Sequence, residues 1–302
     1  MVLRKIYILG GGIASSIAAL LENFRFIFVK ADDLRFALSF GPKLKKQRVA
    51  IFASYSSSRE DREEVIRLTR LLVPLFDQVV VVDTGIFPSE DLNGVIFYNR
   101  KNIGRDLFSF SQALNLFEVD LIEEILFFND SVLWSNDSLP QLVNIARISK
   151  FEVTSVTASH QNSFHLQSYF IHIKNASKAA LIPFDQLKPW LLKRNIVNFG
   201  EKFLTKSWLS SGVAVGGLFD QQSLSPEIQN FKHAYGEDYP SIKKLVESKV
   251  PLNPSIHFWP ALLANTGVIK NVLIRSNPAG FKRAPSSLSD ALSMIRKDNS
   301  SD

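Results

Sequence analysis

The segment Asn102–Asp106 carries side chains that could bind the phosphates of a ligand. It follows a predicted strand, Val95–Tyr98, and precedes a predicted helix. Gly104 permits close approach of the backbone, and the Arg105 guanidinium is a planar fork of donors that matches phosphate oxygens. Asp106 could cap the helix and orient that guanidinium. Since strand carboxyl ends border the ligand crevice of open α/β sheets, we predict a phosphate-bearing substrate here. A plain helix cap beside a surface arginine is the alternative.

Alternating strand and helix patterns place this segment at the edge of a predicted sheet. Continuous apolar runs predict strands that are buried on both faces, and apolar residues at three- and four-residue spacing predict helices. The repeated strand–helix–strand pattern therefore predicts an α/β fold with a mostly parallel sheet flanked by helices. The predicted strands are Val49–Tyr55, Gln78–Val82, Val95–Tyr98, Glu124–Phe128, Phe151–Val156 and Gln167–Ile173. The predicted helices are Arg59–Pro74, Asp106–Phe117, Ser177–Arg194 and Asn198–Ser210.

Three regions are predicted along the chain: an N-terminal appendage over 1–47, a main α/β domain over 48–285 and a polar C-terminal tail over 286–302. The apolar run Ile6–Leu21 lacks a signal-peptide cleavage pattern and is too short to span a membrane. It predicts a short strand–helix–strand unit instead. That unit either packs as an appendage or, through Gly10, Gly12 and Asp32, binds a dinucleotide.

Composition excludes several classes of site. The chain has no Cys, which removes disulfides, thiolate metal sites and Cys nucleophiles and is typical of a reducing, cytoplasmic setting. The formal net charge of +6 favours an anionic partner, such as a nucleotide, a lipid-linked diphosphate or an anionic membrane face. No nucleic-acid-binding pattern accompanies that charge, so nucleic acid is not expected as a partner.

Asp83 lies at the end of the second predicted strand. Its carboxylate could accept hydrogen bonds from the ribose or base of a nucleotide, as acids at such strand ends commonly do. A turn-capping role through Thr84 and Gly85 is the alternative.

The chain resembles the rhamnan synthesis protein F family of bacterial polysaccharide glycosyltransferases. The resemblance implies a sheet similar to the type A glycosyltransferase fold and transfer of a rhamnose-like deoxyhexose, or a related sugar, from a nucleotide-sugar to a growing cell-surface polysaccharide such as a capsule or O-antigen. It does not cover 1–47. The matching residues, in order, are Asn102–Asp106, Asn129–Ser131, His165–Phe170, Glu201, Leu204, Leu209, Gly212, Asn253, Pro254, Trp259, Gly267, Lys270, Arg275, Asn277 and Pro278.

The resemblance assigns the donor diphosphate to the Asn129–Ser131 segment. In such enzymes this strand end usually holds two or three acids that bind Mg²⁺ or Mn²⁺, whereas here only Asp130 is acidic. Either Asp130 binds the metal with help from Asn129 and Ser131, or Arg105 and other cations neutralise the diphosphate instead.

Glu201 and Asp130 are the predicted catalytic residues, with Glu201 as the base; Asp130 and the pair Glu237–Asp238 are alternative candidates for that base. In the fold that the chain resembles, an acid at the start of such a helix often deprotonates the acceptor hydroxyl in inverting transfer. A favourable glutamate in a first helical turn is the alternative. Acceptor or sugar contacts are assigned to His165, Gln167, Ser168, Tyr169, Trp259 and Lys270.

These observations together predict an inverting, cytoplasmic hexosyltransferase. Its expected partners are a nucleotide-sugar and a glycan or lipid-linked glycan acceptor, with peripheral attachment to an anionic inner membrane face as a further expectation. One alternative is a non-catalytic sugar-nucleotide-binding or glycan-binding member of a polysaccharide assembly complex. A remote alternative is a dinucleotide-dependent oxidoreductase that uses the glycines of the N-terminal appendage.

Overall fold

A computed structural model describes residues 42–86, 92–102, 104–161, 163–190 and 193–296 of the chain. The predicted strand–helix–strand unit, with Gly10, Gly12 and Asp32, lies outside these residues. Within them, no helix is both long enough and apolar enough to cross a membrane.

The described residues form an α/β fold around a mixed, mostly parallel sheet of eight strands, as the sequence predicts. Strands β3, β2, β1 and β4 lie side by side in that order and are parallel. Strand β8 runs antiparallel between β4 and β6, β7 is antiparallel to β6, and β9 is parallel to β6. The strands are β1 Arg48–Ser54, β2 Gln78–Asp83, β3 Val95–Asn99, β4 Glu124–Asn129, β5 Val132–Trp134, β6 Val153–Ser159, β7 His165–Leu166, β8 Phe170–Lys174, β9 Val215–Phe219 and β10 Val268–Lys270.

Helices cover both faces of this sheet. They are α1 Arg59–Leu72, α2 Arg105–Leu114, α3 Ser138–Ile148, α4 Lys178–Asp185, α5 Lys193–Ile196, α6 Lys202–Ser210, α7 Gln221–Leu224, α8 Lys232–Tyr235, α9 Tyr239–Glu247, α10 Pro254–His257, α11 Trp259–Thr266, α12 Asn271–Arg275 and α13 Leu288–Arg296. A π-helical turn, Val197–Glu201, joins α5 to α6, and 3-10 turns lie at Val119–Leu121, Ser225–Phe231 and Gly236–Asp238.

Alternate side chains of the central strands pack into two separate cores, one on each face of the sheet. Phe52 and Phe128 stack at 4.1 Å between ring centroids on one face, and Phe127 stacks on Phe184 at 4.4 Å on the other. This two-sided burial explains why β1, β2 and β4 are nearly continuous apolar runs.

A second, two-stranded sheet forms from β5 and β10, which are antiparallel. Val132 pairs with Lys270, and Trp134 pairs with Val268. Both strands have only three residues, too few to show a periodic pattern, and the sequence analysis predicted neither. Their pairing brings a late segment of the chain to the carboxyl end of β4.

The second half of the domain differs from the predicted elements. The strand predicted at Gln167–Ile173 begins only at Phe170, as β8. Residues 167–169 are irregular and separate β8 from β7, which precedes the predicted range. The helix predicted at Ser177–Arg194 is shorter in the structure: α4 contains Pro183 and ends at Asp185, ahead of Pro189. Part of the predicted polar tail, α13, is helical and buries Ala291 and Met294 in the core.

Candidate functional site

An open cleft of about 1110 Å³ lies at the carboxyl ends of β1 and β4. The segment that contains α5, the π-helical turn and the start of α6 forms part of its wall, and residues of α10, β10 and α12 form another. Eleven of the fifteen predicted site residues line this cleft. They are Asn102, Arg105, Asp106, Asn129, Asp130, Ser131, His165, Gln167, Ser168, Glu201 and Lys270.

A chain of hydrogen bonds links two carboxylates across the cleft. The Ser168 amide donates to Glu201 Oε1 at 2.9 Å, and the Ser168 hydroxyl donates to Asp106 Oδ2 at 3.0 Å. The Asn129 side-chain amide donates to the same Asp106 oxygen at 2.5 Å. Ser168 can make both contacts because it lies in the irregular segment between β7 and β8, where ladder pairing is interrupted.

The same hydrogen-bond chain continues from Asn129 to a cation. Asn129 Oδ1 accepts the Ser131 amide at 2.9 Å, and Lys270 Nζ donates to the Ser131 hydroxyl at 3.2 Å. The Lys270 ammonium also lies 4.2 Å from the centre of the Tyr169 ring. One end of the chain is therefore the Glu201 carboxylate, and the other end is the Lys270 ammonium.

Asp130 lies in the cleft beside this chain of hydrogen bonds. Its Oδ2 accepts the Tyr55 amide at 2.6 Å, which ties the carboxylate to the end of β1. Burial, followed by the neighbouring carboxylates of Asp106 and Asp83, raises the pKa of Asp130 to about 6. A ligand that carries positive charge into the cleft would stabilise the ionised carboxylate.

Arg105 lines the cleft in an unusual backbone conformation. Gly104 has φ +76° and Arg105 has φ +53°, so two successive residues adopt left-handed values before α2 continues. The Arg105 side chain is exposed, and no described residue forms an ion pair or side-chain hydrogen bond with its guanidinium. Those donors are available to a ligand.

Two expectations for this turn need correction. Asp106 does not cap α2, because Gly104 occupies the cap position and no side chain hydrogen-bonds there. Nor does Asp106 orient Arg105, since its carboxylate accepts Asn129 and Ser168 instead. Gly104 itself does not line the cleft. An added Cβ there would lie 2.6 Å from Phe108 Cβ and from Pro189 Cα, so this glycine serves close packing.

Asp83 lies beneath the cleft, not on its lining. It is fully buried, its Oδ1 accepts the amides of Ser56 and Gly85, and its Oδ2 forms a 3.0 Å ion pair with Arg62. Because the side chain is fully buried and both of its oxygens already accept hydrogen bonds within the protein, Asp83 is not placed to make the predicted contact with a nucleotide. Its hydrogen bond from the Gly85 amide agrees with the alternative, in which Asp83 stabilises the turn that follows β2.

Two residues predicted to contact sugar or acceptor are buried instead. Trp259 is 1% exposed in the core at the start of α11. Tyr169 is 0% exposed, and its hydroxyl lies 2.9 Å from Thr157 Oγ1. Tyr169 contacts residues of the site in two ways: the Lys270 ammonium rests on its ring, and its carbonyl accepts the Asn129 amide at 3.2 Å.

His165 and Gln167 both line the cleft, but they differ in how many of their polar atoms already have a hydrogen-bond partner. The Gln167 amide is engaged on both sides, because its oxygen accepts Thr157 Oγ1 at 2.5 Å and its nitrogen donates to Asn253 Oδ1 at 3.3 Å. His165 Nδ1 lies 2.9 Å from the Ser163 carbonyl, so in the neutral ring this nitrogen carries the proton. Nε2 is then left as an acceptor.

Several polar residues that line the cleft were not predicted from the sequence. Arg194, Asn198 and Lys202 reach it from the segment that carries Glu201, and Ser255 and His257 reach it from α10. The first group could not be identified from the helical spacing of 193–210, because a π-helical turn changes which side chains share a face. The feature of the sequence that could have identified these residues is the presence of Arg and Lys on both sides of Glu201.

Asp130, which follows β4, and Asp106, on α2, are the residues of the cleft to consider as ligands of a divalent cation. Within the described ranges, no group of three or more His, Cys, Asp and Glu side chains is placed to hold a metal ion. Asp130 and Asp106, however, bring two carboxylates close enough for one to raise the pKa of the other. Mg²⁺ commonly binds through one or two carboxylates together with substrate phosphates. The donor set is therefore chemically suited to Mg²⁺ or Mn²⁺ held jointly by protein and substrate.

Compared with known proteins, the chain matches no protein-family model and no curated protein. The family resemblance given by its motifs stays a prediction.

Proposed function

We propose that the chain is an inverting glycosyltransferase with a type A-like fold that uses a nucleotide-sugar donor. The observation that carries this proposal is the continuous hydrogen-bond chain across one cleft, with the Glu201 carboxylate at one end and the Lys270 ammonium at the other. Sugar transfer from a nucleotide diphosphate requires a base for the acceptor hydroxyl and positive charge at the departing diphosphate.

Glu201 is proposed to act as the base. One carboxylate oxygen accepts the Ser168 amide, which orients the group, and the other has no hydrogen-bond partner among the described residues. The acceptor hydroxyl would give its proton to this second oxygen as its own oxygen bonds to the anomeric carbon. The bond from that carbon to the diphosphate breaks on the opposite face, and its electron pair leaves with the diphosphate.

Arg105 is proposed to bind the donor phosphates, since its guanidinium lines the cleft without an ion-pair partner there. Where a divalent metal takes part, Asp130 and Asp106 would hold it, and it would supply further positive charge to the diphosphate. The raised pKa of Asp130 supports this role, because a bound cation would stabilise the ionised carboxylate.

The substrate class follows from the motif resemblance. We propose a rhamnose-like deoxyhexose or related sugar as the transferred group, and a growing cell-surface glycan or a lipid-linked glycan as the acceptor. The proposed setting is the cytoplasm, with attachment to the inner face of the membrane as a further proposal based on the net charge of +6.

The test is acceptor-dependent release of nucleoside diphosphate. The purified chain is incubated with a panel of nucleotide-sugars and bacterial surface glycans, with Mn²⁺ or with a chelator, and released diphosphate is measured. We expect at least one donor to give acceptor-dependent release that Glu201→Gln slows by roughly 10²–10⁴-fold. Absence of release from every donor, despite donor binding in a thermal-shift assay, would instead support the non-catalytic binding protein. The single acid in Asn129–Ser131 favours that second candidate.

A further inference from the structure

Pairing between the two short strands fixes Lys270 at the end of β4. Lys270 pairs with Val132, which lies immediately after Asn129–Ser131. The next residue, Asn271, reinforces the contact. Its amide donates to the Ser131 carbonyl at 3.0 Å, and its side chain donates to the Asp130 carbonyl at 2.5 Å. The backbone around Lys270 is thus attached to Asn129–Ser131, the segment to which the family resemblance assigns the donor diphosphate.

The Lys270 side chain is positioned by two further contacts. Its ammonium lies 4.2 Å from the centre of the Tyr169 ring and 3.2 Å from the Ser131 hydroxyl. Tyr169 is fully buried and is itself held by Thr157, so the ring is a rigid support. A lysine normally loses considerable rotamer entropy when it is ordered, and here the protein has already restricted that freedom.

We propose that Lys270 forms a diphosphate subsite, in which its ammonium binds the terminal phosphate of the nucleoside diphosphate unit. This inference rests on the proposed function and changes the assignment of Lys270 from acceptor or sugar contact to donor contact. When the bond between sugar and diphosphate breaks, the diphosphate gains the electron pair and hence negative charge. Lys270 lies at the end of the hydrogen-bond chain opposite Glu201, where that charge would develop while the acceptor proton moves to Glu201.

Two features favour a phosphate over a sugar hydroxyl as the partner of Lys270. An ammonium has three donors and no acceptor, so it suits an oxyanion better than a hydroxyl, which must also donate. The lining residues around Lys270 also include Ser131 and the backbone of a strand end, which is where α/β folds commonly place ligand phosphates.

The experiment measures binding of inorganic pyrophosphate and of matched nucleoside mono- and diphosphates (uridine, thymidine and guanosine) by calorimetry, with a chelator present. The variants are Lys270→Gln, which removes the charge, Lys270→Arg, which keeps it, and Lys243→Gln as a control. Lys243 is an exposed lysine of α9 that lies outside the cleft. Its loss should leave every affinity unchanged.

We expect Lys270→Gln to weaken pyrophosphate and diphosphate binding by about tenfold or more, the usual scale of a charge-assisted hydrogen bond. Monophosphate binding should change much less, so that the preference for diphosphate over monophosphate falls. Lys270→Arg should recover part of that preference. Equal weakening of mono- and diphosphate binding, unchanged affinity, or no binding of pyrophosphate and nucleoside diphosphates by the wild-type chain would each overturn the subsite.

The two proposals fail in different ways. Pyrophosphate binding that depends on Lys270, without turnover of any nucleotide-sugar, would keep the subsite and reject the transferase. Normal turnover with Lys270-independent diphosphate binding would keep the transferase and reject the subsite.

Discussion

Replacement of Asp83 by asparagine tests whether this residue stabilises the fold or binds a nucleotide, because the first role predicts a loss of stability and the second a loss of nucleotide affinity. In the 3.0 Å ion pair, the Arg62 side chain is 5% exposed and the Asp83 side chain 0%. Arg62 also lies over the Phe97 ring at 4.7 Å. Asparagine could still accept the two backbone amides at Oδ1 but would leave the buried guanidinium without its carboxylate. Removing one partner of a buried pair typically costs roughly 3–5 kcal/mol, and we expect about 3 kcal/mol here because the amide hydrogen bonds remain.

Urea unfolding gives the free energy of unfolding for this comparison. Asp77→Asn is the matched control, because Asp77 pairs with Arg48 at 2.9 Å but with side chains 31% and 50% exposed. An exposed pair of this kind contributes about 1 kcal/mol or less. The double variant Asp83→Asn/Arg62→Met should lose less than the sum of the single losses, which reports direct coupling. A loss below about 1 kcal/mol for Asp83→Asn, together with weaker nucleotide binding, would refute the structural reasoning.

Three further predictions concern Asp130, Glu201 and Gly104. The pKa of Asp130 in the folded protein, about 6, exceeds the ordinary value of 3.8, so the folded protein binds the proton more tightly and its stability falls as pH rises from about 4 to 6. Asp130→Asn removes this ionisation and should therefore raise the free energy of unfolding at pH 7.5 by up to about 3 kcal/mol, with no such increase at pH 4. The same variant should abolish transfer, and equal effects on stability at both pH values would contradict the reasoning. Glu201→Gln should lower kcat by roughly 10²–10⁴-fold. Donor affinity, measured by calorimetry, should stay unchanged, because glutamine can still accept the Ser168 amide. A loss of donor affinity without a loss of kcat would argue against Glu201 as the base. Gly104→Ala should lower the free energy of unfolding, measured in urea, by about 2 kcal/mol or more. The control Gly212→Ala should lower it by about 1 kcal/mol, because Gly212 has a similar φ of +75° but nothing lies within 4 Å of the added Cβ. Equal losses for the two variants would rule out the packing argument for Gly104.

The parallel half of the sheet could be predicted because its signal is local. Strands β1, β2, β3 and β4 are apolar runs, and the helices α1 and α2 between them have apolar residues at helical spacing. Their predicted bounds agree with the structure to within a few residues. The convergence of Arg105 and Asp130 on one cleft follows from the same logic, since parallel strands end at the same edge.

The different positions of Asp83 and Asp130 could not be predicted in this way. Both are acids at the end of an apolar strand, so the local pattern is the same. The two acids differ because α1 places Arg62 against Asp83, and the ion pair with Arg62 neutralises the Asp83 carboxylate inside the protein. Such a pairing depends on the orientation of a whole helix against the sheet, which a strand-end motif does not encode.

The segment 167–169 shows how a recognisable string can have an unexpected shape. Strict alternation along a strand would place Ser168 on the face opposite Gln167. The interruption between β7 and β8 instead places Gln167 and Ser168 on the cleft and leaves the Tyr169 ring in the core. Ser168 then orients Glu201, while Tyr169 supports Lys270. Since neighbouring residues of one short segment position both ends of the hydrogen-bond chain, a shift of this segment would displace the proposed base and the proposed diphosphate cation together. The interruption of the ladder is therefore the structural feature on which the geometry of the candidate site depends most directly.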